Sequence, residues 1–256
     1  ALRRASIGVS MGMRGTEVAR AASDLVLLRD DFAALVDTVR EGRRIFDNLV
    51  RAFLYLIAFH IPIFGLALFV PLLGLPLLLL PVHLVWLELI VHPVSALLFE
   101  AEPAAPDVMQ RPPRNPKLPL LPMPLVWRSV LSGIALTAAA LALYHFHLPA
   151  GEPHARASAL AVLICGSLLL VFAERASSAR WTEVPFPRSL RFWLIWGAAA
   201  ATLPAALYLA PVAQALRVES LGARDWFLVL GAAAASVGWR SFGSGRKARA
   251  PSLAWP

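Results

Sequence analysis

Three side chains that can carry ion chemistry lie in strongly apolar parts of this 256-residue sequence. Glu88 and His92 are four residues apart in the run PVHLVWLELIVHPVSALLFEAEP, which places them on one helical face. His60 lies in the apolar run before it. A charged group at membrane depth is costly, so its presence indicates a function or a partner. The pattern predicts a cation pathway lined by Glu88, His92 and His60.

Two prolines lie close to these histidines, Pro62 beside His60 and Pro93 beside His92. A proline inside a helix removes one backbone hydrogen bond and frees a carbonyl one turn earlier, so we expect a helix kink at each. The freed carbonyl and the neighbouring histidine could bind a cation or relay a proton. The alternative is structural: Glu88 pairs with His60 or His92 and only locks two helices together.

The composition indicates an integral membrane protein. The chain is 58% hydrophobic with a mean hydropathy of +0.65, which is more apolar than an ordinary soluble domain. The net charge of +8 could suggest nucleic acid. However, the basic residues concentrate in loops on one side, as the positive-inside rule requires, so no nucleic-acid partner is expected. A single cysteine, Cys165, excludes an intramolecular disulfide.

The apolar segments predict an α-helical polytopic protein with six transmembrane helices. The expected spans are about 52–70, 79–99, 125–144, 157–173, 192–210 and 226–240. An even number puts both termini on one side of the lipid bilayer. If that side is cytosolic, all but three of the 24 Lys and Arg residues are cytosolic too, the exceptions being Arg156, Arg217 and Arg224.

The remaining segments predict soluble parts. Residues 1–31 contain two strand-like runs around a short helix, an αβ fragment too small to fold alone. Residues 32–51 have helical periodicity and are expected to continue as a stalk into the first span. The proline-rich segment 100–124 predicts an extended surface strap, and 241–256 a basic cytosolic tail.

No soft-metal site is expected in the membrane, since Cys165 stands alone. His145, His147 and His154 fall in one outer loop and are interpreted as solvated residues. Weak zinc binding there is the alternative. We assign no metal ligands and no catalytic residue in this chain.

Three blocks of the sequence resemble the P-type cation-transporting ATPases, in the branch of calcium, sodium and proton pumps. The first is IGVSMGMRGTEVARAASDLVLLRDDFAALVDTVREGRRIFDNL (7–49), the second LPVHLVWLELIVHP and the third EPAAPDVMQRPPRNPKLPLL (102–121). They occur in family order and cover residues 1–124. Beyond them only the helix topology matches.

The resemblance implies a place for each part of the chain. The six spans would be the fifth to tenth helices, and residues 1–31 the end of a haloacid-dehalogenase-like phosphorylation domain. The family implies ATP-driven transport with Mg²⁺ through an aspartyl phosphate. The DKTGT and GDGxND motifs do not occur in these 256 residues. We therefore expect no cofactor and no ATP hydrolysis in this chain alone. The expected partners are the transported cation and an N-terminal part with actuator, nucleotide-binding and phosphorylation domains and the first four helices.

The resemblance also assigns positions in the cation site. His60 falls where calcium pumps place an asparagine, Ile63 where they place a glutamate, Glu88 at an asparagine, Val91 at a threonine and His92 at an aspartate. Calcium ligands are thus largely replaced, and one carboxylate with two imidazoles suits proton or monovalent exchange at least as well.

High Ala and Arg usage suggests a GC-rich bacterial genome. The expected location is therefore a bacterial inner membrane.

A different class of function fits the same residues. The chain could act as a non-enzymatic six-helix membrane module, either a passive conduit or an assembly partner. A purely structural membrane protein with braced charges is a third possibility.

Overall fold

The computed structural model describes residues 1–88, 97–115, 117–175 and 186–241. The chain divides into two compact units. Unit 1 consists of Ala1–Asp47 and Pro103–Pro112, and unit 2 of the remaining residues.

Unit 1 begins with a small strand–helix–strand motif. Strand β1 (Val9–Met11) pairs in parallel with β2 (Leu25–Leu27), and α1 (Glu17–Ala21) connects them. The Thr16 hydroxyl accepts a hydrogen bond from the Ala19 amide and caps α1. The predicted order of two strand segments around a short helix is confirmed.

The loop segment of unit 1 is held by arginine contacts. The Arg111 guanidinium donates to the Asp47 carboxylate at 2.7 Å and to both Asp107 oxygens, while Arg43 donates to the carbonyls of Val108 and Arg111. The described residues between 101 and 122 form turns and bends only, as the proline content predicts. The helical periodicity of residues 32–51 places Asp47 on the polar face, opposite the apolar positions, yet Asp47 is buried and paired with Arg111.

Helix α2 extends over 40 residues, Ala33–Leu72. The Asp31 carboxylate accepts a hydrogen bond from the Ala33 amide at its start. At 1.5 Å per residue its length is about 60 Å. The predicted continuity from stalk to first span is confirmed, and Pro62 and Pro71 both lie within the helix.

Unit 2 contains the other helices. These are α3 (Pro81–Trp86), α4 (Met123–His147), α5 (Glu152–Arg175), α6 (Leu190–Tyr208), α7 (Ala210–Leu216) and α8 (Ala223–Gly238). A helical turn also covers residues 97–100.

Within the described ranges, four helices are long and apolar enough to cross a membrane: α2, α4 with the turn Leu148–Ala150, α5 and α6. Helix α8 has 16 residues, or about 24 Å, against about 30 Å of hydrocarbon. The expected span 79–99 begins with α3, but residues 89–96 lie outside the described residues. A polytopic helical membrane protein is therefore supported, and six spans are not confirmed.

The core of unit 2 is built around α5. Nearly every residue of α5 from Ala155 to Glu174 is buried, and α4, α6 and α8 pack around it. Small residues allow this close approach: a Cβ added to Gly166 would lie 2.4 Å from Leu136 Cδ1. In lipid there is no hydrophobic driving force between helices, so van der Waals contacts of this kind stabilise their association.

Candidate functional site: a carboxylate and an imidazole between two helices

Glu88 and His60 meet in unit 2. His60 is in the middle of α2, and Glu88 follows the end of α3. The His60 Nε2 atom lies 3.5 Å from Glu88 Oε1, and the two side chains are 33% and 40% exposed. This distance is longer than an ordinary hydrogen bond. The structure thus brings together two of the three side chains predicted to line a cation pathway.

The second ring nitrogen of His60 is occupied by the backbone. His60 Nδ1 lies 2.8 Å from the Leu56 carbonyl oxygen, which can only accept a hydrogen bond. Nδ1 therefore carries the proton. In neutral histidine this leaves the Nε2 lone pair facing the Glu88 carboxylate, so two acceptors oppose each other. A proton or another cation between them relieves that repulsion.

The backbone near both side chains departs from ordinary helix. Pro62 cannot donate to the Ala58 carbonyl, and Gly133 of α4 packs against this carbonyl. A Cβ at Gly133 would lie 2.8 Å from the Ala58 oxygen, so only glycine permits the approach. Leu87 and Glu88 have the wider π-helical backbone, which is frequent at functional sites.

His92 and Pro93 lie outside the described residues, as does Val91. The second imidazole and the kinks expected at Pro62 and Pro93 remain predictions.

Two buried ion pairs were missed by the sequence reasoning. Glu174 of α5 accepts hydrogen bonds from Arg240 and from the Ser129 hydroxyl, and Glu174 and Arg240 are only 1% and 2% exposed. Arg175 donates to both oxygens of the buried Glu102. The sequence does show charged residues close to the ends of apolar segments, which predicts that they need partners. It does not show which of these residues pair with each other.

The histidines outside the pathway differ from expectation. His83 lies near the outer end of the expected span 79–99, a position that predicts a place at the membrane interface, but the structure shows it fully buried. Its Nε2 donates to the Leu216 carbonyl at 2.6 Å, and its Nδ1 accepts from the Leu80 amide. It therefore fixes the start of α3.

The outer-loop histidines are not all solvated either. His145 is exposed as predicted, whereas His147 is buried and His154 is half-buried. Both face the carboxylate of Asp225 in α8. The interpretation of His147 and His154 as solvated was wrong, because the start of α8 packs against the turn that carries them.

Comparisons with known proteins agree with the membrane architecture. Residues 76–243 match the family described as "Cation transporting ATPase, C-terminus". The "Calcium-transporting ATPase" of Bacillus subtilis is 32% identical over 238 residues, which cover 91% of this chain and 26% of that protein. The "Probable cation-transporting ATPase F" of Mycobacterium tuberculosis is 33% identical over 203 residues, 78% of this chain and 22% of that protein.

A mammalian relative shows the same relation. The "Calcium-transporting ATPase type 2C member 2" of Rattus norvegicus is 27% identical over 237 residues, covering 91% of this chain and 25% of that protein. The chain thus spans about a quarter of the length of these relatives. Because the family match covers most of its residues, this chain belongs to the P-type cation-transporting ATPases and corresponds to their C-terminal part.

Proposed function

We propose that this chain forms the membrane transport part of an ATP-driven cation pump, with a cation pathway between α2 and α3 around Glu88 and His60. The observation that carries the proposal is the 3.5 Å approach of Glu88 Oε1 to His60 Nε2. Because His60 Nδ1 donates its proton to the Leu56 carbonyl, the Nε2 atom of neutral His60 faces the Glu88 carboxylate as an acceptor. The pair is therefore a place where a cation is held and released.

The cation that suits this pair is a proton or a monovalent ion. Calcium takes six to eight oxygen ligands, whereas this site combines one carboxylate with imidazole. Two of the relatives are named for calcium transport, but in the resemblance Glu88 and His60 both replace asparagines. A carboxylate oxygen and an imidazole nitrogen can both accept a proton, which suits proton exchange. His92, four residues after Glu88, would add a second imidazole.

Energy would come from ATP and Mg²⁺ handled by other parts of the full-length pump. Residues 1–31 would complete its haloacid-dehalogenase-like phosphorylation domain. Helix α2 is continuous from Ala33 to Leu72, so a tilt at its start would be passed along the helix to His60. Such a tilt would change the separation of His60 and Glu88 and with it the affinity for the cation. We assign the pump to a bacterial inner membrane with both ends of this chain in the cytosol.

The test uses the complete reading frame, purified and reconstituted in liposomes. Glu88→Gln keeps the size of the side chain but removes its charge, so cation-stimulated ATP hydrolysis and cation uptake should both be lost. Glu219→Gln, at an exposed position, is the matched control and should retain both activities. Wild-type stimulation in Glu88→Gln would contradict the role proposed for Glu88.

The same liposomes separate the pump from a passive membrane module. A pump accumulates the cation only with ATP and Mg²⁺. A passive conduit would equilibrate the cation without ATP. Its flux would also be unchanged by vanadate, which inhibits phosphoryl transfer. An assembly partner would show neither activity.

A further inference from the structure

We propose that His147, His154 and Asp225 form a binding site for a divalent transition metal, with Zn²⁺ as the best-fitting ion. Each residue offers one ligand atom, and the three atoms all lie within 4.8 Å of one another. They come from the last residue of α4, the first turn of α5 and the first turn of α8. The cluster is separate from the pathway at Glu88 and His60.

The distances fit a tetrahedral ion better than hydrogen bonds. His147 Nε2 lies 3.5 Å from Asp225 Oδ1, and His154 Nε2 lies 3.5 Å from Asp225 Oδ2. These separations exceed the ordinary N–H···O range. Two ligands about 2.1 Å from a tetrahedral Zn²⁺ are about 3.4 Å apart. The nitrogens of the two imidazoles lie within 4.8 Å of each other, so they must approach by about 1.4 Å or less to reach the same separation.

The ligand types select the metal. Two imidazoles and one carboxylate form the borderline nitrogen and oxygen set that suits Zn²⁺, Co²⁺ and Ni²⁺, whereas Ca²⁺ and Mg²⁺ require mainly oxygen. Three protein ligands leave a fourth position for water. The side chains of His147, His154 and Asp225 are 8%, 17% and 18% exposed. An ion there would be largely shielded, yet reachable from solvent.

The backbone holds the ligands in place before any ion binds. Asp225 Oδ2 accepts a hydrogen bond from the Gly222 amide at 2.9 Å, which fixes its rotamer at the start of α8. The two histidines are joined by the tight turn Leu148–Ala150 and by Gly151, whose φ of +122° favours glycine. Because α5 rises about 1.5 Å per residue, His154 is about 30 Å from Glu174 near the other end of that helix. A bound metal would thus join α4, α5 and α8 at the bundle end opposite the Glu174–Arg240 pair.

A simpler arrangement uses the same residues without metal. The Asp225 carboxylate caps α8 and would stabilise whichever histidine is protonated. That arrangement predicts no specific metal binding, so a titration separates the two.

The experiment measures Zn²⁺ binding to the complete protein in detergent by equilibrium dialysis, and Co²⁺ binding by visible absorption. The wild type should bind one more equivalent of Zn²⁺ than His154→Ala or Asp225→Asn, and its Co²⁺ form should show the intense bands of tetrahedral coordination. In the two variants we expect at least about a tenfold loss of affinity. His145→Ala, which removes an exposed histidine from the same helix end, should bind like the wild type.

Thermal unfolding supplies a second readout that does not depend on transport. Zn²⁺ should raise the unfolding temperature of the wild type and of His145→Ala, but not of His154→Ala, since a ligand that binds only the folded state stabilises it. Glu88→Gln should keep this response, which shows that the metal is not bound in the transport pathway. Equal Zn²⁺ stoichiometry in the wild type, His154→Ala and Asp225→Asn would overturn the proposal.

Discussion

Two carboxylates of unit 2 have opposite surroundings. Glu174 is 1% exposed, and it binds Arg240, itself 2% exposed, at 2.7 Å. Glu88 is 40% exposed and lies 3.5 Å from a half-buried histidine. Charge-assisted hydrogen bonds and the hydroxyl of Ser129 hold the first pair, whereas Glu88 and His60 lie beyond the ordinary hydrogen-bond distance from each other.

The difference concerns how much each pair contributes to the stability of the fold. A buried carboxylate that is hydrogen-bonded to a buried guanidinium is costly to separate from it, so Glu174 and Arg240 hold α5 to the turn that follows α8. A carboxylate that is 40% exposed and 3.5 Å from its imidazole neighbour gains little stability from that pair. We therefore expect Glu174 to matter for stability and Glu88 for transport.

The largest expected effect is that of Glu174→Gln on stability. The substitution leaves the Arg240 guanidinium buried without a counter-charge, which should cost about 3 to 5 kcal/mol. The unfolding midpoint of the detergent-purified protein measures this loss. Glu88→Gln is the matched control and should change stability by about 0.5 kcal/mol or less. Equal losses in the two variants would remove the distinction between them.

The next effect concerns the packing of α4 against α2 close to His60. Gly133→Leu forces a side chain into the Ala58 carbonyl and Ile61, where a Cβ alone would lie at 2.8 and 2.7 Å. Overpacking of this kind should cost about 1 to 3 kcal/mol. It should also displace α2 near His60 and lower transport. Gly231→Leu is the control, because nothing lies within 4 Å of a Cβ there; a similar loss in both variants would contradict the proposed contact.

The smallest effect is expected for a solvent-exposed pair in unit 1. Arg111 hydrogen-bonds Asp107 and so lowers the pKa of that carboxyl below its usual 3.8, although desolvation partly opposes the shift. A lowered carboxyl pKa stabilises the fold above about pH 3.8 and loses this contribution as the pH falls through the folded-state value. Since Asp107 is 43% exposed, Asp107→Asn should cost about 1 kcal/mol or less at pH 7.

Denaturant titrations at several pH values measure this contribution. The difference between wild type and Asp107→Asn should shrink toward zero below pH 3.8. A constant difference over the whole range would show that packing, and not charge, accounts for the effect. Asp37→Asn, at a more exposed ion pair, should give a smaller difference at every pH.

Local patterns were sufficient for much of the fold. Helical periodicity over residues 32–51 and the apolar run after it predicted that the stalk continues into the first span as α2. Runs of Leu and Ala predicted α4, α5 and α6 within a few residues of their bounds. These features follow from the backbone periodicity of the helix and from the apolar length that a bilayer requires. The count of spans was less secure, because α8 has only 16 residues and residues 89–96 of the expected second span lie outside the described residues.

Charge pairing was the least predictable feature. Glu88 and His60 could be proposed as neighbours because both interrupt adjacent apolar runs. By contrast, Glu174 and Arg240 are 66 residues apart, and His154 and Asp225 are separated by most of three helices. No sequence spacing relates such residues, since their contacts depend on how the helices pack.

The sequence by itself determined the membrane character, the helical elements and the resemblance to cation pumps, because composition, periodicity and ordered motifs are local properties of the chain. Only the tertiary structure decided which polar side chains face each other. It paired Glu174 with Arg240, placed Glu88 3.5 Å from His60, and brought His147, His154 and Asp225 together at one end of the bundle. The physical reason is that each of these pairings depends on the contacts of at least two helices, and those contacts arise from packing between segments distant in the chain.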